Sequence, residues 1–206
     1  MKFRIKNKTK TIFVIQADND IWGILPIKIL HFFSLLPEKE VELSCENEAK
    51  LFSEIEKFAW DKLLNFFSFR ERSIWECNNF LSQLPLKSEI AEKLISKAVS
   101  MNFVNDKRFA EIYTESLIIK EKSLTEIKNK LFVKHINKKI IDEVLKIQYS
   151  AEKKDEIIKE NVKKTLSRYS RFSKKEKLEK CLNYLTRRGF SYWEVKENIE
   201  ELMIKD

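Results

Sequence analysis

Glycine is the feature that most constrains this chain: in 206 residues it occurs twice, at Gly23 and Gly189, and proline occurs three times. Each Gly or Pro inside a helix weakens it, so a chain nearly without them favours long helical stretches joined by short links. The same scarcity argues against the common nucleotide folds. A loop that cradles phosphate needs clustered glycines where the backbone closes on the anion, and neither GxxxxGK[ST] nor GxGxxG is present.

The first fifty residues differ from the rest. Lys2–Lys6 alternates apolar and polar side chains, Thr11–Gln16 is β-branched and aromatic, Asp18-Asn19-Asp20 is a turn cluster, and Ile21–Leu25 is apolar again. This predicts a small antiparallel β unit. A short helix over about Pro26–Phe33 follows, and Val41-Glu42-Leu43 can add a strand. From about Glu48 the period becomes helical, with Phe52, Ile55, Ala59, Leu63 and Phe66 on one face. Such stripes recur, as at Ile90, Leu94, Ala98 and Met101 or at Leu178, Leu182 and Leu185, and predict about nine helices after the β unit. Their starts are marked by Ser with Glu three residues on, at Ser73/Glu76, Ser123/Glu126, Ser173/Glu176 and Ser191/Glu194, the capping-box spacing.

The chain also repeats itself. Laid without gaps on Glu179–Ile199, Asp61–Leu81 matches at Lys62/Lys180, Leu64/Leu182, Asn65/Asn183, Arg70/Arg188, Ser73/Ser191, Trp75/Trp193 and Glu76/Glu194. This predicts a repeated helix–joint–helix unit. Asn102-Phe103 and His135-Ile136 hold the place of Gly189-Phe190 at two middle joints. The shared logic is a left-handed residue closing one helix, an apolar residue packing back, and an Asn or Ser capping the next. Trp75 and Trp193 are expected to pack between helices rather than to stack on bases.

Net charge is +8, from 40 Lys and Arg against 32 Asp and Glu, with the two signs reading as spread along the chain. This suits nucleic acid, or something built on it, as well as it suits a solvated helical surface. Cys45, Cys77 and Cys181 are odd in number and far apart, which reads as reduced thiols, and His31 and His135 lack metal-ligand spacing. No metal, cofactor or catalytic cluster is expected, and paired carboxylates such as Glu54/Glu56 read as solvated faces. The longest apolar stretch, Ile21–Leu36, holds Pro26, Lys28 and His31 and falls short of a membrane span, so a cytoplasmic protein is expected. Basic residues fall at successive joints, Arg70 and Arg72, Lys120, then Arg187 and Arg188, and Lys128 is among those on the helices that follow Lys120. A stripe of them would suit a phosphate backbone or an acidic groove. The structural alternative is that Arg70 and Arg188 bond the ends of their own helices.

Arg70-Glu-Arg-Ser73-Ile-Trp-Glu76, then Phe103-Val-Asn-Asp106-Lys-Arg-Phe109-Ala110, then Lys120 with Ile127 and Leu131 ahead of Ile136, then Arg187-Arg188-Gly189-Phe190-Ser191 resembles the RecX regulatory family in order and spacing. The start, with Trp22-Gly23 before a short helix, is similar to the amino-terminal extension of its longer members. The chain departs from the family where a glycine is usual, with Asn102, His135 and the Glu121/Ser123 pair. The resemblance implies a mainly α protein of three tandem three-helix repeats (51–104, 105–148 and 149–206) in an elongated, curved array. A β-rich extension over 1–50 precedes them. It implies a non-enzymatic monomer that docks in the groove of a RecA filament on single-stranded DNA. There it inhibits the ATPase, strand-exchange and coprotease activities, contacting naked single strands weakly or indirectly. Arg70, Arg72, Lys120, Lys128, Arg187 and Arg188 are the candidate contacts. The rival expectation is a helix–turn–helix repeat protein that binds DNA directly.

Overall fold

The alternating start becomes a sheet because each strand has one apolar face to cover. In the computed structural model, which describes residues 1–37 and 39–204, β1 (Lys2–Asn7), β2 (Ile12–Ala17), β3 (Asp20–Pro26) and β4 (Val41–Glu42) pair antiparallel in the order β3-β2-β1-β4. Asp18 and Asn19, both at positive φ (47° and 75°), form the two-residue link from β2 to β3. Asn and Asp tolerate that backbone, and it matches the twist of the strands. The register slips where Ile15 faces Gly23 but Gln16 faces Ile21. The slip breaks the alternation, and Trp22, Gly23, Ile24 and Leu25 are all buried in succession.

The helices are α1 (Ile27–Leu30, continued by a 3-10 turn at His31–Phe33), α2 (Cys45–Ser68), α3 (Ile74–Ser82), α4 (Ser88–Ser100), α5 (Asp106–Ile119), α6 (Leu124–Val133), α7 (Lys138–Gln148), α8 (Ala151–Arg168), α9 (Lys174–Arg187) and α10 (Tyr192–Ile204). The first long helix begins earlier than its periodicity implied. Ser44 caps it by accepting from the Asn47 N–H, and no Glu follows at the capping-box spacing to mark the site.

The described residues divide into two compact units, one spanning Met1–Asn105 and the other beginning at Asp106. In the first, α2 lays Leu51, Ile55, Ala59 and Leu63 on a face that includes Phe3, Ile15 and Leu25, all fully buried. A Cβ on Gly23 would lie 2.3 Å from the Ile55 Cγ2, so the helix reaches the sheet only because that residue is glycine. In the second unit Phe109, Leu117, Ile127, Leu131, Ile141 and Leu145 share a core with Ile158, Val162, Cys181, Leu185, Val195 and Ile199. Each such aliphatic side chain stabilises the fold by about 1.5–3 kcal/mol relative to exposure.

Helix ends follow one rule. Asn102, His135 and Gly189 all sit in the left-handed region as their joints predict, with φ of 55°, 56° and 83°. Ser34 and Glu121 do the same at 56° and 52°, where the residue type offered no hint. At each, the following N–H reaches back to a carbonyl five residues earlier: Leu35 to Leu30, Phe103 to Ala98, Lys122 to Leu117, Ile136 to Leu131 and Phe190 to Leu185, over 2.9–3.3 Å. The following side chain then packs back on the helix, with Leu35, Ile136 and Phe190 buried.

At helix starts, Ser73, Ser123 and Ser173 cap their helices as expected. Among the described residues only Ser173/Glu176 closes the reciprocal box. The other three carboxylates have other partners: Glu76 with Arg70, Glu126 with Lys122, and Glu194 with Lys154.

Candidate functional site

The six basic candidates have different fates. Arg70 forms a two-pronged pair with Glu76 at 2.9 and 3.0 Å, and Glu76 is buried. Arg70 also donates to the Glu71 carbonyl at 2.8 Å. The Arg72 Nε donates to the Phe66 carbonyl at 3.1 Å, closing the end of α2, with its guanidinium 4.1 Å from the Phe66 ring centre. Burial first, then the neighbouring Arg70 charge, lowers the Arg72 pKa. Lys128 lies 3.7 Å from Asp142, both half exposed. Lys120 and Arg187 are exposed and, among the described residues, in no ion pair.

Arg188 belongs to a lock inside the second unit. Its guanidinium donates to the Asn161 Oδ1 at 2.7 Å. The Asn161 amide donates to the carbonyls of Glu121 (3.1 Å) and Ile157 (2.9 Å). The Ser123 hydroxyl donates to the Arg188 carbonyl at 2.7 Å. A Cβ on Gly189 would stand 2.9 Å from the Thr125 Cβ and 3.0 Å from the Ser123 Oγ. The joint after α9 is thus docked on the joint before α6, and Arg188 braces α8 against both. Glu121 reinforces the contact by pairing with Lys164.

Trp75 is half-buried. Trp193 corrects the packing expectation: it is 72% exposed, set edge-on to Tyr192 at 5.2 Å. Its neighbour Val195, not the tryptophan, fills the core under α10.

The expectation of evenly spread charge is also corrected. Residues 163–188 hold ten Lys and Arg against two acids, Glu176 and Glu179; the other 180 residues hold thirty of each sign. The whole excess of +8 therefore sits on the end of α8, the joint after it, and α9. Its cations are interleaved with rings. Arg168 lies 5.2 Å from the Tyr184 ring centre and hydrogen-bonds the side chain of Tyr184. Arg188 reaches the same ring at 5.7 Å. Lys180 lies 4.6 Å and Arg171 5.7 Å from the Phe172 centre, and Tyr169 meets Phe172 edge-on at 5.9 Å. The Arg168 hydrogen bond, with the charges of Arg188 and Arg168, holds the Tyr184 hydroxyl below the usual phenol range against the opposing effect of burial. Reading joint by joint missed this surface; a running charge count along the chain finds it.

Among the described residues no group of three His, Cys, Asp or Glu is placed to hold a metal ion. No helix there is long and apolar enough to cross a membrane.

Together these features define a mainly helical protein with a small amino-terminal sheet, an architecture that solved structures share. The chain superposes on a crystal structure of regulatory protein RecX with a TM-score of 0.66 at 22% identity, covering 95% of this chain and 99% of that one. It superposes on the crystal structure of RecX from Lactobacillus salivarius with a TM-score of 0.64 at 27% identity, covering 72% and 97%. No protein-family model matches the chain. In sequence it is 26% identical over 210 residues to regulatory protein RecX of Streptococcus sanguinis, covering all of this chain and 79% of that protein. It is 27% identical over 198 residues to that of Streptococcus uberis, covering 93% and 73%. In sequence and in fold the chain is thus similar to proteins named regulatory protein RecX.

Proposed function

We propose that this protein binds the RecA filament on single-stranded DNA and lowers its ATP hydrolysis, strand exchange and coprotease activity. The observation that carries the reading is the similarity, along nearly the whole of this chain, to proteins named regulatory protein RecX. The protein acts as a monomeric, non-catalytic cytoplasmic regulator. Its helices act as three modules, 51–104, 105–148 and 149–206, behind the β-rich extension 1–50. Lys120 and Arg187 are the candidates best placed for contact, since Arg70, Arg72 and Arg188 already serve Glu76, Phe66 and Asn161, and Lys128 lies beside Asp142.

The test is RecA's DNA-dependent ATP hydrolysis, with this protein titrated upward from far below the RecA concentration. Hydrolysis should fall at substoichiometric amounts and stay low when single-stranded DNA is added in excess. Unchanged hydrolysis, or full recovery with excess DNA, sinks the filament reading and leaves direct DNA binding.

A further inference from the structure

Every excess positive charge of the molecule lies on residues 163–188, and of the ten cations there only Lys163 and Lys164 are in an ion pair among the described residues, so that Arg168, Arg171, Lys180 and Arg187 are among those without one. Elsewhere, surface lysines commonly have a carboxylate beside them, as Lys93 has Glu56, Lys107 has Glu143 and Lys159 has Asp155. Of the two acids in this stretch, Glu176 is held by the Ser173 hydroxyl and N–H at 2.6 and 3.1 Å.

The arrangement is directional. Lys180 and Tyr184 are one turn apart on α9 and share a face. Phe172 continues that face past Lys180, and Arg168 approaches it from the end of α8. Rings and unpaired cations therefore alternate along one strip. Phosphate groups want the cations, and the faces of unstacked bases want the rings. A duplex keeps its bases covered and would use the cations alone.

We propose that this face of α8 and α9 is a direct contact for single-stranded nucleic acid, with Arg168, Arg171, Lys180 and Arg187 on phosphates and the rings of Tyr184 and Phe172 against bases. Arg188 is a positioning residue here, because its bond to Asn161 sets the joint that carries Arg187. The proposal rests on the filament reading only for where the strand is met; the chemistry stands on this surface.

The test uses the full chain and a fluorescein-labelled thirty-residue oligo-dT, read by anisotropy between about 50 and 200 mM salt. Four phosphate contacts on a single strand give a log–log salt slope of about −3. The variant combining Arg168→Ala, Lys180→Ala and Arg187→Ala should bind at least tenfold more weakly at 100 mM salt, with a shallower slope. Tyr184→Leu should weaken binding about tenfold with the slope kept, the mark of lost stacking. Lys139→Ala with Lys146→Ala, both exposed on α7, should stay within about twofold. Far-ultraviolet circular dichroism and a thermal midpoint confirm that each variant is folded. Equal binding by the triple variant overturns the proposal. So does tighter binding to a duplex of equal length, or displacement of the oligonucleotide by polyglutamate at equal charge concentration. RecA hydrolysis is measured alongside. Oligo-dT binding without any effect on RecA removes the filament reading alone, while inhibition that survives in a triple variant still binding oligo-dT removes this proposal alone.

Discussion

Two joints of this molecule are spelled with nearly the same letters and bonded in different ways. Residues 69–73 carry Arg70 and Ser73 ahead of Trp75 and Glu76; residues 188–191 carry Arg188 and Ser191 ahead of Trp193 and Glu194. In the first, Arg70 closes locally on Glu76. In the second, Arg188 reaches α8 at Asn161, and Glu194 pairs with Lys154 on the same helix. Gly189 turns left-handed at φ 83°, whereas Glu71, its aligned partner, does not take a positive φ. A short motif of this kind specifies a helix end and a helix start. What its charged side chains bond is decided by whichever helix stands beside it: α8 flanks the second joint, while at the first the arginine finds its acid six residues on.

Substitutions at the two joints should separate their bonding, beginning with the deepest brace. Asn161→Ala removes the side-chain partner of the Glu121 carbonyl and of the Arg188 guanidinium, and should cost about 3 kcal/mol in denaturant unfolding. Arg188→Ala combined with it should be clearly less than additive, with a coupling of about 1–2 kcal/mol; strict additivity would dissolve the lock. Gly189→Ala forces a side chain into the left-handed region against Thr125, and should cost about 2 kcal/mol.

Arg70→Ala removes the two-pronged partner of a buried carboxylate. Because the guanidinium is half exposed and screened, the cost should be nearer about 1.5 kcal/mol. A loss as large as that of Asn161→Ala would mean that the first joint is as deeply braced as the second. In the opposite direction, His135→Gly relieves a left-handed residue with a Cβ and should raise stability by about 0.5–1 kcal/mol, seen as a higher thermal midpoint.

The smallest effect is alkaline and belongs to the second unit. Burial pushes the Tyr149 phenol from 10.0 to about 12 and the Cys181 thiol from 9.0 to about 11. Both folded values are raised, so the unfolded chain gives up these protons first. Their stabilising share is complete below about pH 9 and drains away as pH rises toward 12. Denaturation midpoints should therefore hold to about pH 8.5 and fall above it, with Tyr149→Phe flattening the upper part of the fall. By the same burial, a thiol reagent at pH 8 should label Cys45 and spare Cys77 and Cys181 in the folded protein.

Much of this was legible beforehand. The β unit, its Asp18-Asn19 turn and the helices after it follow from periodicity, because strand and helix periods are local properties of side-chain direction. The left-handed sites at Asn102, His135 and Gly189 follow from joint chemistry. Those at Ser34 and Glu121 do not, since a Ser or Glu by its own chemistry gives no sign of a backbone it is forced to adopt; for Glu121 the sign comes only from the family resemblance, which has a glycine-spaced pair there. Of the candidate contacts, the exposed Lys120 and Arg187 could not be told from the engaged Arg70 and Arg188, because the partners Glu76 and Asn161 lie six and twenty-seven residues away.

The order of residues alone fixes where most helices start and stop, which faces are apolar, and that positive charge is in excess. Those are set by spacing within a few residues, or by simple counting. Only the tertiary structure decided that Arg188 is a brace, that Trp193 faces solvent, and that Arg168, Lys180 and Tyr184 make one surface. Each of these depends on α8 lying against α9 and α10, a placement made by burying Val162, Cys181 and Val195 together rather than by any letter at the joint itself.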